Sequence, residues 1–163
     1  TPTFIDIDAD GDLDFFSGNS GNGSVSFYEN IGLFNNIPVF SYITNFWQNI
    51  SIIGSFANQR HGASAITFID LDSDGDYDLS WGDYFQQSLY IVWNIGNNLY
   101  PEMDINNIIT EYPENNPIIT AGQNMPTFVD LDGDNDFDLF VTVLVASLKK
   151  TVVFFEPGID PFK

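Results

Sequence analysis

The sequence predicts an all-β fold made of repeated four-stranded antiparallel units, and three observations predict it. A nine-residue run with aspartate at every odd position occurs three times, as DIDADGDLD at 6–14, DLDSDGDYD at 70–78 and DLDGDNDFD at 130–138. The residues that follow each run alternate apolar and polar with the period of a strand (Leu13, Phe15; Tyr77, Leu79, Trp81; Phe137, Leu139, Val141). The runs begin 64 and 60 residues apart, and the flanking segments align with them, which is the mark of a repeat architecture.

Each unit opens on a strand that feeds the first aspartate: TPTFID, AITFID and MPTFVD coincide on the alignment. The acidic run follows as a hairpin loop, and the second strand is its apolar trailing segment. A third strand coincides as SVSFYENIG (24–32), LYIVWNIG (89–96) and TVVFFEPG (151–158), the last displaced by two residues, with the extra length near Lys149 and Lys150 at a hairpin end. PVFSYIT and NNPIIT, set between Asn, Pro and Gly punctuation, read as outer strands of the first two units. The expected units are 1–64, 65–124 and 125–163, the third incomplete because no outer strand follows GIDPFK. Helix signals are weak throughout. The longest apolar run, LFVTVLVASL at 139–148, falls well short of the roughly 20 residues a spanning helix needs and reads as a buried strand.

Five carboxylates in nine residues repel one another unless something neutralises them, and a hard divalent cation does so. Calcium takes six to eight oxygens, and a short loop can supply them from positions 1, 3, 5, 7 through its backbone carbonyl, and 9. The side-chain ligands expected on that pattern are Asp6, Asp8, Asp10 and Asp14; Asp70, Asp72, Asp74 and Asp78; and Asp130, Asp132, Asp134 and Asp138. Asp12, Asp76 and Asp136 are expected to contribute backbone carbonyls, so that three Ca2+ ions are bound, one per loop. Position 6 must turn sharply, and Gly11, Gly75 and Asn135 stand there, residue types that enter left-handed conformations most easily. The helix-loop-helix calcium hand is excluded: its bidentate Glu at position 12 is replaced by Ser17, Trp81 and Val141. Magnesium, which keeps its waters, fits such a crowded cage less well.

The 163 residues suffice for one domain, and 44% hydrophobic with 16% aromatic residues argues against disorder. The formal charge of −19 is local, since 15 of the 23 acids lie in the three loops. Three divalent ions would still leave −13, which argues against nucleic acid and anionic membrane surfaces as partners, and no segment predicts membrane insertion. With no cysteine there is no disulfide framework or thiolate site. Loops that saturate at the millimolar calcium found outside cells predict an extracellular setting. The chain opens on TPTFID without a basic and apolar leader, so the leader was removed or the chain is a fragment.

The third strands are apolar on both faces, with Val25 and Phe27 opposite Tyr28, and Leu89, Ile91 and Trp93 opposite Tyr90 and Val92. Sheets buried between neighbouring sheets read this way, as blades stacked around an axis do. The pattern PTFIDIDADGDLDFF with SVSFYENIG, then ITFIDLDSDGDYDL, then PTFVDLDGDNDFDLF resembles the FG-GAP and VCBS-type repeats of calcium-binding β-propellers, the class that includes the integrin α-subunit head. Among these, bacterial surface repeat proteins are the closer likeness. The resemblance covers all three units and implies a propeller blade per unit, with calcium in the hairpin between the first two strands. Asn135 departs from the pattern and bears on the third site's affinity. Because propellers use about four to eight blades, this chain has too few to close alone. It is therefore expected to be a fragment or to associate, through further blades or copies at open sheet edges, and a contact that does not close would build a fibre.

The converging carboxylates are unsuited to acid-base catalysis, which needs two carboxyl groups held in different environments. His61, in NQRHGASA beside Arg60, has no nucleophile or second histidine to serve, and a loop role is expected. Trp81 and Trp93 fall in strand alternation and are expected to pack, whereas Trp47 in a loop is equally suited to packing and to stacking on a sugar. Asn22-Gly23-Ser24 and Asn49-Ile50-Ser51 match the N-glycosylation acceptor, a short pattern frequent by chance. The function expected is that of a non-enzymatic extracellular calcium-binding repeat protein for adhesion, protein interaction or surface assembly. Its partner would be a protein or glycan ligand. Alternatives are a lectin-like carbohydrate-binding module, a self-assembling filament subunit and an accessory part of a larger secreted enzyme.

Overall fold

A computed structural model describes residues 1–19, 21–52, 65–133, 137–143 and the strand at 151–155. The fold is all-β, with antiparallel sheets none of which closes on itself. Sheet one has the order β1 (Pro2–Ile5), β2 (Asp14–Asn19), β3 (Ser24–Phe34) and β4 (Ile37–Thr44). Sheet two is β5 (Ala65–Ile69), β6 (Asp78–Gly82) and β7 (Tyr90–Val92). Sheet three is β8 (Asn124–Val129), β9 (Asp138–Val143) and β10 (Thr151–Phe155). The expected strand, loop, strand, strand order is therefore present in all three.

The hairpins share one register. Phe4 pairs with Phe15, Phe68 with Leu79 and Phe128 with Leu139. The loop-closing pairs are Ile5 with Asp14, Ile69 with Asp78 and Val129 with Asp138. A common register places the same loop position at the same point of each sheet, because a one-residue slip would reverse every side chain.

Sheet two lies between the others, held by two apolar clusters. One joins Phe16, Val25 and Trp47 of the first unit to Phe68, Leu79, Trp81, Tyr90 and Val92. The other joins Leu89, just before β7, and Ile91, on its opposite face, to Leu139, Val141 and Val143 of sheet three. The alternation read in the third strands is thus realised, with Tyr90 and Val92 facing one neighbour and Leu89 and Ile91 the other. First strands are neighbours in space, β5 packing beside both β1 and β8. Gly82 permits the approach of sheet three: a Cβ there would stand 2.1 Å from the Asn124 carbonyl oxygen.

The outer strands divide. PVFSYIT forms β4, entered through a tight turn in which Asn35 and Asn36 both take left-handed φ of 53° and 62°, as the favoured two-residue hairpin requires. NNPIIT forms no strand, contrary to expectation. Beyond β7 the chain touches sheet two through single bridges, Ile91 with Ile109 and Asn94 with Met103. Pro113 and Pro117 remove ladder donors from this segment, and its apolar residues Tyr112 and Ile118 cap the second cluster instead. His61 and the turn at Lys149 and Lys150 lie outside the described residues.

Candidate metal centres

Each acidic loop folds on its own carboxylates. In the first, the Asp6 side chain accepts the Asp10 N–H at Oδ1 and the Gly11 N–H at Oδ2, both at 3.1 Å. In the second, Asp70 accepts Asp74 and Gly75 in the same way at the same distances. Position 5 then accepts the N–H of position 7, Asp12 to Asp10 at 3.0 Å and Asp76 to Asp74 at 3.1 Å. These bonds hold the chain in a ring around the carboxylates.

Two residues in each of the first two loops make the turn possible. Gly11 and Gly75 at position 6 have φ of 97° and 95°, as their glycine identity predicts. Position 4 is left-handed as well, at Ala9 (55°), Ser73 (63°) and Gly133 (80°). The third loop carries its glycine at this earlier place. Asp134, Asn135 and Asp136 lie outside the described residues, and of that loop's start the Gly133 N–H bonds Asp130 at 2.7 Å.

Position 9 does something the ladder did not foretell. Asp14, Asp78 and Asp138 are all buried, at the base of the loop. Asp14 accepts the Asn30 N–H and Asp78 the Asn94 N–H, each at 2.8 Å, so the loop is tied to the third strand. Asp78 and Asp138 also accept the N–H of position 2, Leu71 at 3.0 Å and Leu131 at 2.9 Å. The signal was present in the sequence. Asn-Ile-Gly recurs at 30–32 and 94–96, and each asparagine side chain accepts the glycine N–H two residues on at 3.0 Å.

The carboxylates converge. One oxygen each from Asp6, Asp8 and Asp10, and one each from Asp70, Asp72 and Asp78, lie within 4.8 Å of one another. Oxygens bound to one calcium at about 2.4 Å each stand no more than about 4.8 Å apart. These acidic clusters can hold a metal ion, and their donors are all hard oxygens. Asp10 completes the first trio and Asp78 the second, so the two loops do not present the same three side chains. Asp8 Oδ1, Asp12 Oδ1 and Asp76 Oδ1 are shielded from solvent without a hydrogen-bond partner. Asp76 is only 5% exposed. A buried acceptor left unpaired is costly, and either a cation or a proton can relieve it.

Without a cation, five of the loop carboxyls keep their protons to higher pH than usual. Burial first, then the surrounding aspartates, push Asp76 up to about 6. Burial also raises Asp14 to about 6 and Asp78 to about 7, although the N–H bonds from Asn30, and from Asn94 and Leu71, pull the other way. Asp12 and Asp72 are raised by the same two causes. Crowding and desolvation both oppose the charged forms.

No family model, curated protein or solved structure matches this chain. The repeated loop and its geometry therefore carry the functional reading. Of the other residues singled out, Trp47 takes the packing role of the two that its loop position left open. It is 7% exposed and packs edge-on to Phe16 and Phe68 with ring centroids 5.0 and 5.7 Å away. It sits in a short 3-10 turn (Trp47–Asn49), a loop position as expected, but faces inward. Trp81 is fully buried and Trp93 half-buried against the second cluster, so both pack. Asn22 and Asn49 are exposed.

Proposed function

We propose that this chain is a non-enzymatic calcium-binding repeat protein of the FG-GAP and VCBS type, each sheet a propeller blade clasped by its ion, and that it serves adhesion or protein interaction outside the cell. The observation that carries the calcium reading is the repeated loop in which converging carboxylates leave Asp76 Oδ1 buried and unpartnered. Three sheets stacked face to face with adjacent first strands support the blade reading. The extracellular setting follows from the calcium level at which such a loop fills. Among the described residues no helix is long and apolar enough to cross a membrane. The ions act as structural clasps, and recognition falls to the loops and faces between them.

Because the unfolded chain has no site, metal affinity becomes folding stability, about 2.7 kcal/mol per site at a hundredfold excess over Kd. Thermal unfolding in calcium and in chelator checks this. A melting temperature several degrees higher in calcium, with magnesium giving less, is the expected result; coincident melts would sink the clasp.

A further inference from the structure

We propose that the chain stacks on copies of itself head to tail, the outer face of sheet three seating against the outer face of sheet one. The register shows which face each sheet turns to its predecessor. Phe68 of β5 buries against sheet one, its ring 4.8 Å from Phe16, and Phe128 of β8 packs into the cluster shared with sheet two. Phe4 holds the same place in β1, and among the described residues no sheet packs on its face: Phe4 is 54% exposed where Phe68 is 8%. Around it stand Phe15, Tyr28, Phe40 and Tyr42, with ring centroids 5.1 to 6.2 Å apart from Phe4 through Phe15 to Phe40. The patch carries no charge on a chain of −19, so it is where two copies approach with least repulsion.

The opposite end bears the complementary face. Thr3 and Ile5, Thr67 and Ile69, and Thr127 and Val129 occupy equivalent positions on the side each sheet turns to its successor. Ile69 is covered by sheet three and is 6% exposed, whereas Val129 is 40% exposed and Thr127 is also exposed. Among the described residues, the interface between sheets one and two, repeated between two and three, is thus left half-made on the outer faces of sheets one and three. A second copy supplies the missing half to each. Such a contact is heterologous, giving a ring if the rotation closes and a filament if it does not. Thr142 stands where Gly18 and Gly82 stand in the other sheets, so the junction between copies is wider than the internal ones. The occupant does not depend on which cation the loops hold.

Sedimentation velocity of the full chain over a concentration series tests this with Phe4→Asp, which blocks one face, and Thr127→Asp, which blocks the other. Wild type is expected to associate progressively, each variant alone to stay monomeric, and an equal mixture of the two to stop at a dimer, since only one good face remains on each chain. That rescue also shows that neither variant is merely unfolded. Thr142→Gly is expected to tighten association. A monomeric wild type, a Thr127→Asp chain that still dimerises through sheet one, a mixture that fails to pair, or a Thr142→Gly chain that associates no better would each overturn the proposal.

Discussion

Sheet one and sheet two share strand order, register and acidic loop, yet one is exposed on a face and the other is buried on both. Trp81 and Ser17 are register equivalents, as are Phe68 and Phe4. In sheet two the large residues close a core against a neighbour, while in sheet one the same positions hold a serine and a phenylalanine turned to solvent. The repeat determines geometry, and the neighbour determines what a position contributes to stability. Substitutions at equivalent places should therefore differ with the burial and the size of the side chain that the neighbour covers.

The largest difference is expected at that pair. Trp81→Ala empties a fully buried site and should cost about 3 to 5 kcal/mol, whereas Ser17→Ala should stay within about 0.5 kcal/mol. Urea unfolding of the two variants in calcium measures this. Trp81 Nε1 is buried without a hydrogen-bond partner, so Trp81→Phe should retain most of the stability. Equal losses at 81 and 17 would break the comparison.

The loops provide the next contrast. Asp78 accepts two backbone N–H groups, one buried and one part-buried, where Asp14 is seen accepting one. Leaving a buried donor unpaired costs about 1 to 3 kcal/mol. In chelator, where metal loss plays no part, Asp78→Ala is therefore expected to cost about 2 to 4 kcal/mol and Asp14→Ala about half as much. Chemical denaturation separates them, and a larger loss at Asp14 would place the clamp elsewhere.

Much of this was legible in the sequence because it depends on local period and local chemistry. The three hairpins follow from Thr-Phe strands, odd-position aspartates and turn glycines, and all nine strands so placed are present, as is β4. What stayed hidden depends on distant neighbours. The inward turn of Trp47 is set by Phe16 and Phe68, which are far from it in sequence. NNPIIT has the composition of a strand, but its backbone found partners in Gln87 and Tyr112 while Ile118 filled the core. The tie from Asp14 to Asn30 and from Asp78 to Asn94 spans a strand and its hairpin, and only the recurrence of Asn-Ile-Gly betrays it.

Proton linkage sharpens the loop contrast further. Asp78, Asp76 and Asp14 have ordinary values of 3.8 and are raised in the ion-free fold to about 7, 6 and 6. The folded state then binds more protons than the unfolded one between these limits. Its stability is fully present below about 3.8 and is lost as pH rises through about 6 and then 7. In chelator, the melting temperature should therefore fall from pH 4.5 to pH 7.5, a range set about these limits. Asp78→Asn should flatten the upper part of that fall and Asp14→Asn the lower part. With saturating calcium the sign reverses, because protons compete with the cation for the same oxygens and acid weakens binding. A melting profile with the same slope in both conditions would deny that these carboxylates meet the ion.

The smallest expected effect lies at position 4, where the loops differ from one another. Ala9 and Ser73 adopt left-handed backbone at φ of 55° and 63°, and the third loop places Gly133 there. A residue with a Cβ pays about 1 to 2 kcal/mol for that conformation, while glycine surrenders about 0.5 to 1 kcal/mol through its freer unfolded chain. The balance favours glycine by about 0.5 kcal/mol, so Ala9→Gly and Ser73→Gly should each raise stability slightly, with Gly133→Ala lowering it by a similar amount. Ser73→Gly is the sharper trial, since no backbone bond in the second loop is accepted by its side chain among those that form the ring. Calcium titration of the same variants adds a second readout: a loop relieved of strain needs less of the ion's binding energy to close, so affinity should rise with stability. A stabilised loop that bound calcium more weakly would mean that the strained turn is what aims the carboxylates.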